Sequence, residues 1–177
     1  MSHPQQMTFV SDLKEAMPDR FHGVKVLEVG SLNINGSVRQ FFLNPKQYVG
    51  IDLGPGPGVD MVCYGHEAPF PKNYFDTSIS CECFEHDEYW QETFYKMWEV
   101  TKPNGLVIFS CATEGRPVHG TKEANPFDAP FTNHYYKNLT KEDFNNEFDL
   151  GGMFKMYFFD VNVNSHDLYF WGIKCSE

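Results

Sequence analysis

The sequence predicts an α/β fold: a three-layer α/β/α sandwich on a mostly parallel, seven-stranded sheet with one antiparallel strand. Three observations carry this. Apolar runs of strand length alternate with segments of helical period through most of the 177 residues, the pattern of parallel strands joined by crossovers. Residues 106–111 (LVIFSC) form a nearly continuous apolar run, as a strand buried on both faces requires. The last two strand-like runs, 155–162 and 167–174, are separated only by a turn around Asn164-Ser165. That spacer is too short for a parallel crossover, so the two pair as a hairpin and one strand runs antiparallel.

The remaining elements follow in order. Met7, Val10, Leu13, Ala16 and Met17 recur at helical spacing, predicting a helix over 7–17 stopped by Pro18. Residues 25–29 are the first strand. Residues 37–43 read as a helix with Val38, Phe41 and Phe42 inward, and 48–53 as the second strand. The segment GPGPG at 54–58 forbids regular structure. Short strands follow at 59–63 and 76–81. The clearest helix spans 88–101, with Tyr89, Thr93, Tyr95, Met97, Trp98 and Val100 as its apolar surface, and Pro103-Asn104-Gly105 ending it. Residues 140–148 form a helix whose Thr140 and Asp143 have capping-box spacing. The one long irregular stretch, 113–139, follows a central strand. It therefore rises from the carboxyl edge of the sheet, where open α/β sheets bind ligands.

Composition narrows the class. A formal net charge of −10 argues against bulk nucleic-acid binding, which needs cations against phosphates. No stretch approaches 18 consecutive apolar residues, so no membrane span is expected. The opening MSHPQQMTF lacks a basic region followed by an apolar one, so the expectation is a cytoplasmic protein. Five cysteines, mostly inside apolar runs, read as buried thiols rather than a disulfide framework. Aromatic residues make up 16% of the chain, which predicts an aromatic-rich core.

The first strand and its loop, VLEVGSLNINGS at 26–37, pose the functional question. Asp52 lies 22 residues after Gly30, a spacing suited to the hydroxyls of a ribose. That geometry fits NAD, FAD and S-adenosylmethionine alike. The loop discriminates. Residues 30–36 read GSLNING, without the close-spaced glycines that bring backbone amides to a pyrophosphate. No Gly-Lys-Ser/Thr sequence exists, which excludes a P-loop. Glu28, at the end of the strand, would repel a pyrophosphate but suits a ligand bearing an ammonium and a sulfonium.

The ordered set VLEVGS, NGS, YVGIDLGPGPGVDMV, FDTSISCECFEHD and WEVTKPNGLVIFS resembles the class I S-adenosylmethionine-dependent methyltransferases, in particular the small, type 11-like branch with Glu-His after the fourth strand. The resemblance runs from about residue 25 to residue 111, roughly half the chain. The family's first motif is closer to GxGxG, and this chain departs from it at Ser31, Asn33 and Asn35.

The resemblance implies a Rossmann-like fold in a single domain, with an N-terminal helical segment (1–24), a cofactor-binding core (25–111), a substrate loop (113–139) and a C-terminal helix and hairpin (140–177). It implies that Glu28, Gly30 and Ser31 face the methionine part of S-adenosylmethionine, with Asn35 also among the cofactor-binding residues. Asp52 and Leu53 would hold the ribose and adenine edge, and Tyr64, Gly65 and His66 would cover the adenine. Cys81 and Glu82 would end the fourth strand beside the reactive methyl. The implied activity is methyl transfer to an unidentified small-molecule acceptor, leaving S-adenosylhomocysteine. A non-catalytic binding or interaction module with the same fold is the other reading, and the loop spacing disfavours an NAD-dependent oxidoreductase.

Candidate chemistry follows from the histidines, the natural bases near neutral pH. His86, just after the fourth strand, is the best placed, with His119 and Tyr135 as further catalytic candidates. Arg116, His119, Tyr135 and Tyr136 in the long loop are candidates for acceptor binding, Arg116 as a clamp for an anionic group. Cys81, Glu82 and Cys83 with His86 lack further ligands at short spacing, so no metal is expected. Whether the chain is a monomer or a homodimer is left open.

Overall fold

In the computed structural model, which describes residues 3–176, seven strands form one sheet. They are β1 (Lys25–Val29), β2 (Gln47–Asp52), β3 (Met61–Val62), β4 (Phe75–Cys81), β5 (Thr101–Ala112), β6 (Phe154–Asn162) and β7 (Asp167–Lys174). Their order is β3-β2-β1-β4-β5-β7-β6. The first five pair in parallel, and β7 lies antiparallel between β5 and β6. The chain winds outward from β1 to β3 and then returns to β4 on the other side of β1. The sheet therefore has its topological switch point between β1 and β4, where a crevice opens at the carboxyl ends.

Alternation along the strands builds two cores. Val26, Ile79 and Ile108 face α1 (Pro4–Ala16), which contributes Val10 and Leu13. Leu27, Val29, Ile51, Val107 and Phe109 face the other layer, formed by α2 (Trp90–Val100) and α3 (Lys141–Glu147). That second core is aromatic, as composition predicts. Phe109 stacks on Phe144 at 4.5 Å and on Phe170 at 4.9 Å, and Phe94 meets Phe109 edge-on at 5.7 Å. Such pairs add about 0.5–1.5 kcal/mol each beyond area burial.

Several boundaries differ from the sequence reading. The helix expected over 37–43 is a single 3₁₀ turn, Val38–Phe41. The chain must reverse at Asn44 (φ +46°) before Pro45, so no second turn has room, and α1 supplies the helical layer on that face. The α2 helix starts two residues later than expected because Asp87 accepts hydrogen bonds from Tyr89 N (2.8 Å) and Thr93 Oγ1 (2.6 Å). Pro103-Asn104-Gly105 lies inside β5 as an irregularity between the Thr101 and Leu106 pairings; the helix has already ended at Val100. The third strand shrinks to two residues, and a one-turn helix α4 (Leu150–Met153) appears where none was expected. The Thr140–Asp143 capping box is present in both directions. The five cysteines are unpaired. Among the described residues, no helix is long and apolar enough to cross a membrane.

Candidate functional site

A cleft of about 940 Å³, including its open mouth, lies at the carboxyl ends of β1, β2 and β4. Its first wall is the loop after β1. Gly30 has φ +76°, and a Cβ there would stand 2.6 Å from Cys83 Cβ, so only glycine lets the β1 and β4 ends meet. Gly30 N and Ser31 N both donate to Ile51 O, at 3.0 and 3.1 Å, and Asn33 N donates to Pro57 O at 2.8 Å. Leu32 N donates to Asp52 Oδ2 at 2.9 Å. The GPGPG segment thus serves as a brace: its glycines bring a second backbone against the first loop, with Gly58 close to Ser31 O and Gly56 against Leu32.

Two carboxylates line this wall. Glu28 is 5% exposed and accepts a hydrogen bond from Tyr48 Oη at 2.7 Å. Burial outweighs that bond and raises its pKa to about 7. Asp52 also accepts from Leu53 N at 2.8 Å, and burial raises its pKa too. Tyr64, Gly65, Cys81, Glu82, Leu53 and Asn35 border the cleft as well. His66 does not: its ring packs against Tyr64 at 5.3 Å and Tyr89 at 4.6 Å, behind the wall.

Beyond β4 the chain makes a tight turn. Glu82 sits at φ +51°, a left-handed conformation uncommon outside glycine and a marker of functional strain. Its Oε1 accepts from Ser110 Oγ at 2.8 Å. His86 follows on the turn Phe84–His86 and reaches the cleft. Its ring meets His119 edge-on at 5.0 Å and Tyr136 at 5.3 Å. Burial, with the neighbouring His119, lowers the His86 pKa to about 3, so it is a neutral imidazole and a weak base. Burial lowers His119 as well, and it pushes Glu85 well above the usual carboxylate range, reinforced by Glu82.

Arg116 turns away from the cleft lining. Its Nη1 donates to Ser165 O (2.6 Å) and Asp167 Oδ1 (2.8 Å), and its Nη2 lies 3.8 Å from Glu82 Oε2. His3 at the start of α1 joins the same acids, 3.2 Å from Asp167 and 3.5 Å from Glu82. Burial opposes its charge, but hydrogen bonds to both carboxylates outweigh this and raise its pKa to about 10. Tyr135 lies outside the lining, and Tyr136 donates to Asn138 Oδ1 at 2.7 Å.

Residues 27–109 match the family model for a methyltransferase domain. Over that stretch, a little under half of its length, the chain is similar to this family. Solved structures agree on the fold. A Burkholderia thailandensis 1,6-didemethyltoxoflavin-N1-methyltransferase with its substrate and S-adenosylhomocysteine superposes with a TM-score of 0.67 at 14% identity, covering 97% of this chain and 79% of that one. The CurJ carbon methyltransferase gives 0.66 at 15% identity, over 97% of this chain and 54% of its own. The Haemonchus contortus phosphoethanolamine N-methyltransferase 2 with S-adenosyl-L-methionine gives 0.64 at 15%, over 93% and 53%. The chain thus spans about half the length of the last two. No curated protein matches the sequence.

Sequence reasoning missed part of this cleft. The long loop reaches it through residues 128–132, not through Arg116 or Tyr135. Phe131 packs on Gly54 and lines the cleft. In the structure Gly54, a glycine without a positive φ, makes room for an aromatic ring from elsewhere, and the sequence offers only the GPGPG glycines as a hint. Leu32, Ile34, Cys83 and Asp87 also line it.

Proposed function

We propose that this chain transfers a methyl group from S-adenosylmethionine to a small-molecule acceptor. The observation that carries the reading is Glu28: a buried carboxylate on the cleft wall at the switch point, with one oxygen held by Tyr48 and the other lacking any described hydrogen-bond partner. Ser31 Oγ, buried on the same wall, also has no partner among the described residues. Such groups suit a polar, cationic ligand rather than a pyrophosphate.

S-adenosylmethionine would supply a methyl carbon on a sulfonium, open to in-line attack. The chain's residues bind and orient. Glu28 meets the positive amino-acid end, where a cation would favour its charged form. Asp52 offers lone pairs to ribose hydroxyls while its own two amide bonds keep it rigid. Tyr64 and Gly65 form the adenine wall, and Phe131 excludes water at the mouth. With His86 a neutral, weakly basic ring, alignment rather than proton removal by this residue is its contribution.

Isothermal calorimetry with S-adenosylhomocysteine tests the proposal. Saturable one-site binding that weakens in Glu28→Gln is expected; no heat and no thermal shift with either cofactor form would overturn it. Binding without methylated product across a broad acceptor screen would favour the non-catalytic module.

A further inference from the structure

Beside the cleft, three side chains converge with polar atoms left unpaired among the described residues. Glu85, His86 and His119 each offer a ligand atom, and these atoms lie within 4.8 Å of one another. Glu85 is fully buried, and neither carboxylate oxygen has a hydrogen-bond partner among the described residues. A buried carboxylate left in this state costs several kcal/mol unless it is neutralised or paired with a cation. Neither nitrogen of His86 makes a hydrogen bond of good geometry among the described residues, although the Tyr135 backbone interacts with the ring closely enough to favour its proton.

His119 is oriented as a ligand. Its Nδ1 lies 3.1 Å from Pro117 O. A carbonyl only accepts, so Nδ1 carries the proton and Nε2 keeps its lone pair. That Nε2 is buried and has no described hydrogen-bond partner. A carbonyl fixing one imidazole nitrogen so that the other can bind metal is the usual supporting arrangement at metal sites. Gly120 makes the approach feasible: a Cβ there would stand 2.6 Å from His86 Cε1, so glycine lets the loop bring His119 against His86.

We propose that Glu85, His86 and His119 form a binding site for a first-row divalent transition ion at the inner end of the cleft. Two imidazoles and one carboxylate are a donor set for zinc, iron or cobalt rather than for magnesium or calcium, which prefer all-oxygen shells. Bonds of about 2.0–2.2 Å require the donors to draw closer than 4.8 Å, by rotation of the two histidine rings. Three protein ligands leave a position open, and of the three His86 borders the cleft. An acceptor oxygen or nitrogen can bind there. The other convergence of this kind, His3, Glu82 and Asp167, is already served: Arg116 and Ser110 bond its acids, and His3 is protonated.

The full chain is titrated with Co²⁺ and, separately, Zn²⁺ after chelator treatment. Co²⁺ absorption reads the ligand geometry and calorimetry reads stoichiometry. The expectation is one equivalent bound with a d–d spectrum of low coordination number, and affinity at least tenfold weaker in His119→Ala and in Glu85→Gln, while His134→Ala on the exposed part of the loop binds as the parent does. Circular dichroism and thermal midpoints identify variants that fail to fold; His119→Gln then replaces His119→Ala. Absence of a bound equivalent, or affinity unchanged in folded Glu85→Gln and His119 variants, overturns the site. The readout uses no methyl donor, so failure here is distinct from failure of the methyl-transfer reading.

Discussion

The ring of Phe131 occupies the space where a side chain on Gly54 would stand. That contact joins the middle of the long loop to the turn after β2, beside the cleft that Phe131 lines. Gly54→Ala forces the ring out. Overpacking of this kind costs about 1–3 kcal/mol. The expected result is a lowered denaturant midpoint together with weaker S-adenosylhomocysteine binding. Phe131→Ala should keep most of the stability and lose the affinity, measured by calorimetry.

Glu28 ties stability to pH. Its folded pKa, raised to about 7, exceeds its ordinary value of 4.5, so the folded state holds the proton more tightly than the unfolded chain does. Its contribution is complete below about pH 4.5 and is lost as pH rises through 7. A shift of that size corresponds to about 3 kcal/mol. Glu28→Gln should flatten the stability profile between pH 5 and 8 in urea melts. A bound cation reverses the preference, so parent binding of S-adenosylhomocysteine at pH 6.5 should release protons, read as buffer-dependent heat, and the Gln variant should not.

Arg116 discriminates between two roles. Its guanidinium is engaged by Asp167, whose side chain is fully buried, and by Ser165 O. Removing one partner of a buried pair costs about 3–5 kcal/mol. Arg116→Gln should therefore lower the thermal midpoint by several degrees. If Arg116 also clamps an anionic acceptor, KM for that acceptor rises in Arg116→Lys while the fold is retained.

Lys174 ends β7 buried, donating to Asn73 Oδ1, Trp98 O and Thr101 O at 2.8–2.9 Å and lying over the Trp98 ring at 4.3 Å. It collects the carbonyls at the end of α2. Lys174→Met keeps the aliphatic stem and leaves those acceptors without their shared donor. A loss of about 2–4 kcal/mol is expected from urea denaturation, because unmade buried bonds cost their full desolvation.

The sequence by itself determined the layered fold, the seven strands, an antiparallel strand in the C-terminal hairpin and the acids at the ends of β1 and β2. Periodicity and the Thr140–Asp143 cap are local signals, and they are written in neighbouring residues. What the tertiary structure decided is long-range. That 37–43 is one 3₁₀ turn follows from α1 already covering that face of the sheet. That GPGPG braces the first loop, that residues 128–132 rather than Arg116 reach the cleft, and that Glu85, His86 and His119 converge all depend on which backbones meet across the sheet's carboxyl edge. No spacing along the chain encodes such contacts, because the groups are separated by tens of residues and are joined only when the strands are in register.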